Sequence, residues 1–133
     1  MEKGHIKIIN EKGKTPSVEA QLVNNTVWMA KYEIAKLFNC FNQKIEANLK
    51  SIFKSHLLWE DDVSRTYKYK DKGIEKQTVY YNMEVLIFLS YRIGIFETKI
   101  FRTFVNNSLR EHLKKKDKPQ NCKIVWISPL CYN

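Results

Sequence analysis

Two clusters of side chains in this sequence have types and spacing that could do chemistry, and in both it is the chemistry of holding a polyanion. The first is Gln43, Lys44, Asn48, Lys50 and Lys54. The second is Arg65, Lys68, Lys70 and Lys72, followed by Lys76 and interleaved with Tyr67 and Tyr69. The carboxamides of Gln43 and Asn48 each pair a donor with an acceptor, the pattern that matches an adenine edge, while Lys44 suits guanine or phosphate. Lys50 and Lys54 suit the phosphate backbone, and Glu46 among them would be repelled unless it accepted from a cytosine amine. Basic residues of the second cluster would neutralise phosphates without reading sequence, giving an affinity that falls with salt. The ordinary alternatives are a solvated helix face for the first cluster and a lysine-guarded edge strand for the second. Stacking of single-stranded bases on the tyrosines is a further option. It is disfavoured because most Phe and Tyr residues sit at core spacing.

The overall balance points the same way. Lys and Arg number 23 against 14 Asp and Glu, a formal net charge of +9. That excess favours nucleic acid first, an anionic membrane second and an acidic protein third. Catalysis finds no footing: there is no Gly-rich phosphate loop, no G-x-S-x-G elbow, no HExxH and no His-and-Gly-rich loop of the Fic type. An enzyme, a cofactor and a small-molecule substrate are therefore not expected. Cys40, Cys122 and Cys131 form no CxxC pair, and His5, His56 and His112 are far apart in sequence, so neither a disulfide framework nor a metal site is signalled. Glu60-Asp61-Asp62 reads as a solvated acidic loop. No apolar run approaches the ~20 residues of a membrane span, and the opening Met-Glu-Lys-Gly-His lacks an apolar signal region. A soluble cytoplasmic protein is expected, with no membrane partner.

The elements that must position these residues follow from periodicity. Ile6 to Asn10 and Ser17 to Leu22 predict two short strands around a Gly-containing turn, and Thr26 to Met29 a third, together a small N-terminal antiparallel sheet. From Lys31 the period becomes helical: Ile34, Ala35, Leu37 and Phe38 share one face. Asn39 suits the left-handed stop of that helix, and Asn42 the N-cap of the next. Ile45, Leu49, Ile52 and Phe53 give the second helix, Gln43 to Phe53, one buried face and leave Gln43, Lys44, Glu46, Ala47, Asn48 and Lys50 outward. Two short helices joined by a brief turn are the helix-turn-helix layout. His56 to Arg65 reads as a loop. Arg65 to Lys70 and Gln77 to Tyr81 predict a hairpin with its tip near Lys72, a candidate wing. Asn82 caps a helix from Met83 to Arg92, broken at Gly94. Phe101, Phe104, Val105, Leu109 and Leu113 mark a long final helix ending in Lys114-Lys115-Lys116. Trp28 and Trp59, flanking the two-helix unit, are assigned to core packing.

Thr26-Val27-Trp28, Ile34-Ala35-Lys36-Leu37-Phe38, Ser51-Ile52-Phe53, Val79-Tyr80-Tyr81-Asn82-Met83 and Ser90-Tyr91-Arg92-Ile93 together carry a family resemblance. From about Thr26 to Lys116 the chain resembles the bacterial virulence protein RhuM family, with its "VWLT" strand, "MAELF" helix, helix ending in "IF", and "YYNLD" and "SYRV" segments. The resemblance implies a DNA-binding, transcription-regulator-like domain, similar in layout to the N-terminal domains of phage antirepressors. The chain departs from the family at Ala30, where a capping Thr is usual, at Asn39, where Gly is usual, and at Phe41, Asn42, Ala47 and Asn48, which replace Ser, Arg and His. The groove-facing surface that the resemblance implies is thereby less basic.

The expectation is thus an α+β, winged helix-turn-helix-like domain over residues 1–118, with an irregular or edge-strand tail over 119–133. Duplex DNA is the expected partner, a homodimer a further one. The alternative is a protein-interaction or oligomerisation domain that has lost its DNA contacts.

Overall fold

A computed structural model describes residues 2–116; the expected tail lies outside the described residues. The chain is a mixed α+β structure. In order, the elements are β1 (His5–Ile9), β2 (Ser17–Gln21), β3 (Met29–Ala30), α1 (Lys31–Phe38), α2 (Asn42–Lys54), α3 (Glu60–Val63), β4 (Ser64–Asp71), β5 (Ile74–Tyr81), α4 (Met83–Arg92) and the long α5 (Phe96–Lys116).

The strands form two small antiparallel sheets, β1-β2 and β3-β5-β4. The first two strands fall where alternation places them, paired from His5↔Gln21 to Ile9↔Ser17. Gly4, just before β1, is required: at φ +68 a Cβ would stand 2.5 Å from the Gln21 carbonyl oxygen. The third strand departs from expectation. Asn24 and Asn25, both at positive φ, close a tight turn bridged by Val23 and Thr26, so extended pairing starts only at Met29. It then joins β5 (Met29↔Tyr81, Ala30↔Tyr80) rather than the N-terminal sheet.

Apolar residues at helical spacing build the core. Ile34, Phe38, Ile45, Ile52, Leu86, Leu89, Ile93 and Phe101 are wholly buried, and Phe38 meets Phe101 edge-on with ring centroids 5.5 Å apart. Asn39 does adopt the left-handed conformation, φ 55, ψ 51. The N-terminus of α1 is closed by half a capping box: alanine has no side-chain oxygen, but Glu33 Oε1 accepts from the Ala30 N–H at 2.9 Å. The second cap corrects the expectation. Phe41, extended at φ −78, ψ 150, is the N-cap of α2, and Asn42 is already helical. The Phe41 carbonyl accepts from the Lys44 and Ile45 N–H groups, so the helix begins one residue earlier than an Asn42 cap would place it.

Further along, His56 to Arg65 is not wholly a loop: it contains α3, and β4 begins at Ser64. Leu58 and Val63 are buried there, but Trp59 is 59% exposed. Its indole stacks on the His56 imidazole at 4.4 Å instead of entering the core. The hairpin turns at Lys72-Gly73, φ 54 and 80, the two positive φ values of a tight I′ turn whose twist matches its strands. Asn82 caps α4, its Oδ1 accepting from the Val85 N–H at 3.3 Å. At the bend before α5 the buried Thr98 hydroxyl donates to the Ile93 carbonyl and its oxygen accepts from the Ile95 N–H at 3.1 Å.

Candidate nucleic-acid interface

The two polyanion clusters expected from the sequence lie on α2 and on the β4-β5 hairpin. α1 and α2 are joined by Asn39, Cys40 and Phe41 alone. The turn is held by a Cys40 N–H bond to the Ala35 carbonyl at 3.0 Å and by Asn39 Nδ2, which donates to Glu97 Oε2 of α5 at 3.4 Å. Burial lifts the Cys40 thiol above its ordinary pKa, with Glu97 adding to the rise and Lys44 opposing it.

With Ile45, Leu49 and Ile52 inward, helical geometry places Gln43, Ala47, Lys50 and Lys54 on one outer ridge, at i, i+4, i+7 and i+11. All four are exposed, as are Lys44 on the flank toward α4 and Phe41 at the helix N-terminus. Glu46 lies on the other flank, where Lys31 Nζ reaches it at 3.5 Å and offsets its charge. That flank borders a cleft of about 310 Å³ lined by Lys31, Glu46, Lys50, Phe53, Glu60 and Tyr81.

Asn48 is placed differently from Gln43. Its Nδ2 donates to the Lys44 carbonyl at 2.8 Å, and its Oδ1 accepts from Arg92 Nε at 3.2 Å. Both ends of the carboxamide expected to read adenine are thus engaged within the protein. The same Arg92 donates to Ser51 Oγ at 2.7 Å. Arg92 therefore adds a guanidinium to the α2 surface, a residue the sequence reading left out of the site. The only sign of it was its place in the Ser90-Tyr91-Arg92-Ile93 segment.

On the hairpin, strand alternation divides the second cluster in two. The register pairs Ser64 with Tyr81 and Arg65 with Tyr80. Tyr81 is buried and stacks on Phe53 of α2, centroids 6.1 Å apart. Thr66, Lys68 and Lys70, sharing the parity of Ser64, therefore lie on the face toward α2, with Glu75 opposite Lys70. Arg65, Tyr67, Tyr69 and Lys76 lie on the other face. There the Arg65 guanidinium sits 4.4 Å over the Trp28 ring, and Lys76 Nζ is 3.0 Å from Asp71 Oδ2. Lys72 stands at the tip, exposed. Glu60, Asp61 and Asp62, all exposed, form the first turn of α3, which leads from α2 into β4 along the chain, and Glu60 shares the cleft with Lys50. The Tyr81 phenol is held above its ordinary pKa by burial first, then by the carboxylates of Glu60 and Glu46.

Among the described residues, no group of three or more His, Cys, Asp or Glu side chains could hold a metal ion, and no helix is long and apolar enough to cross a membrane. No family model matches the chain, and neither a curated protein nor a solved structure matches it.

Proposed function

We propose that the chain is a winged helix-turn-helix module that holds duplex DNA in a regulatory role, with α2 in the major groove and the β4-β5 hairpin as its wing. The resemblance to the RhuM family belongs to the same proposal. The observation that carries it is the exposed outer ridge of α2, with Gln43, Lys50 and Lys54 in water, beside a hairpin whose Lys68 and Lys70 share the face of Tyr81, which stacks on α2. A helix lying in the major groove presents such a ridge to base edges, while a hairpin beside it meets the phosphates. On this reading Gln43 and Lys44 carry what base selectivity there is. Lys50, Lys54, Lys68, Lys70, Lys72 and Arg92 carry affinity, and Asn48 positions Arg92 rather than reading adenine. Arg65, committed to Trp28 on the far face, contributes little to duplex binding.

Fluorescence anisotropy of labelled duplex DNA, titrated with salt, tests the proposal. Binding at low ionic strength that weakens log-linearly as salt rises is expected. Absence of binding at low salt, or binding indifferent to salt, overturns it.

One observation favours a second reading, a domain that pairs with a second copy of itself. The core-facing stripe of α5, Phe101 and Val105, runs on into Leu109 and Leu113, which are 57% and 49% exposed. Beyond Val105 every described side chain of α5 is exposed. The stripe thus continues past the body of the domain, with nothing among the described residues covering it. Light scattering on the full chain tests this: a dimer that Leu109→Glu with Leu113→Glu converts to monomer supports it, and a monomeric parent chain refutes it.

A further inference from the structure

We infer that the hairpin carries a second binding site, on the face turned away from α2, that takes unpaired bases of single-stranded nucleic acid. It is chemically distinct from the duplex-facing side. Tyr67 and Tyr69 are 44% and 38% exposed, and their rings lie nearly parallel, centroids 5.9 Å apart and planes 21° from each other. Below them on the same face Arg65 covers Trp28, and Lys3 Nζ lies 4.8 Å over the Tyr80 ring. Ile74, 62% exposed, closes the row at the tip. The opposite face, by contrast, holds one aromatic residue, Tyr81, and that one is buried.

A sheet face open to water is ordinarily polar. This one presents the outer faces of two stacked tyrosines, with Arg65 below, Lys72 at the tip, and Lys76 across from Tyr69 in an ion pair with Asp71 of the same face. With centroids 5.9 Å apart the two rings are too close to admit a base between them, so a base stacks on the outer face of each while the linking phosphates meet Arg65 and Lys72. Base stacking on aromatic side chains tolerates any sequence, because every base has a π-face, and it needs the base out of a duplex. Hairpin stabilisation also explains paired residues on a strand face, but β-branched side chains provide it equally well. That difference makes the two roles separable.

The test uses the full chain, labelled single-stranded oligo-dT and oligo-rU, an abasic oligomer of the same length, and a duplex, at about 0.3 M salt, where phosphate attraction alone is weakened. Tyr67→Val with Tyr69→Val is expected to weaken the better-bound of the two single strands at least tenfold, to the level of the abasic oligomer, and to leave duplex affinity unchanged. Tyr67→Phe with Tyr69→Phe keeps the rings and is expected to retain binding. The tighter of oligo-dT and oligo-rU identifies the sugar. In the unsubstituted chain, the bound single strand should protect Tyr67 and Tyr69, and duplex should not, from nitration by tetranitromethane read by mass spectrometry. That readout holds even if the valine variant unfolds. Equal affinity of parent and folded valine variant, or no protection of either tyrosine, overturns the inference. Duplex binding lost with single-strand protection intact would instead count against the proposed function and leave this site standing.

Discussion

The division of the hairpin into two faces makes a quantitative prediction about salt dependence. Lys68 and Lys70 share the face of Tyr81, which packs on α2, whereas Arg65 and Lys76 share the face of Tyr80 and are engaged with Trp28 and Asp71. If Lys68 and Lys70 each neutralise one phosphate of a duplex held by α2, each adds about 0.9 to the slope of log affinity against log salt. Lys68→Ala with Lys70→Ala should then flatten the slope by about 1.8, equivalent to a loss of about 60-fold at 0.1 M salt. Both lysines are exposed and their positions sit outside the core, so the thermal midpoint should scarcely move. Arg65→Ala with Lys76→Ala removes the same formal charge from the same hairpin and should leave the slope nearly unchanged. The assay is anisotropy with one labelled duplex at five or more salt concentrations for parent and both double variants. Equal flattening by the two variants would refute the reasoning, since it would mean that net charge and not strand parity decides the contact. No flattening by Lys68→Ala with Lys70→Ala would remove the hairpin from the duplex interface altogether.

Three further outcomes follow from local geometry. Ile52→Ala, at a wholly buried position on the inner face of α2, should lower stability by about 2–5 kcal/mol, read as a shifted urea midpoint at unchanged slope. Asn39→Val should cost about 1–2 kcal/mol, because a β-branched side chain is forced into the left-handed region, while Asn39→Gly should be tolerated; equal losses in thermal melts would show that the turn does not depend on that conformation. The Tyr81 phenol is raised above its ordinary value of 10.0 by burial and by Glu60 and Glu46, so the folded chain holds this proton more tightly than the unfolded one. Its contribution is therefore complete below about pH 10 and is lost as pH rises through the higher folded value. Denaturation from pH 8 to 11 should show stability falling more shallowly in Tyr81→Phe than in the parent.

Much of this chain was legible before any tertiary contact was known, and each legible feature is local. The apolar spacing of Ile34 to Phe38 and of Ile45 to Ile52 specifies two helices with one buried face each. Asn39 tolerates the left-handed backbone that separates them, Lys72-Gly73 accepts the two positive φ values of the hairpin tip, and Asn82 caps α4 with its own side chain. All of these act through the backbone of a few neighbouring residues, so sequence spacing suffices to find them. What lay beyond its reach depends on residues brought together from far apart. Met29 and Ala30 choose β5, some fifty positions on, over the nearby N-terminal sheet. Arg92 crosses 44 positions to donate to the carboxamide oxygen of Asn48. Alternation alone separates Lys68 and Lys70 from Arg65, but only the stacking of Tyr81 on Phe53 determines which group faces α2. Trp59, Tyr67 and Tyr69 carry core-type side chains that the packed domain leaves in water. Composition states how much apolar surface a chain has to bury; which part of it stays exposed is decided only when the layers close.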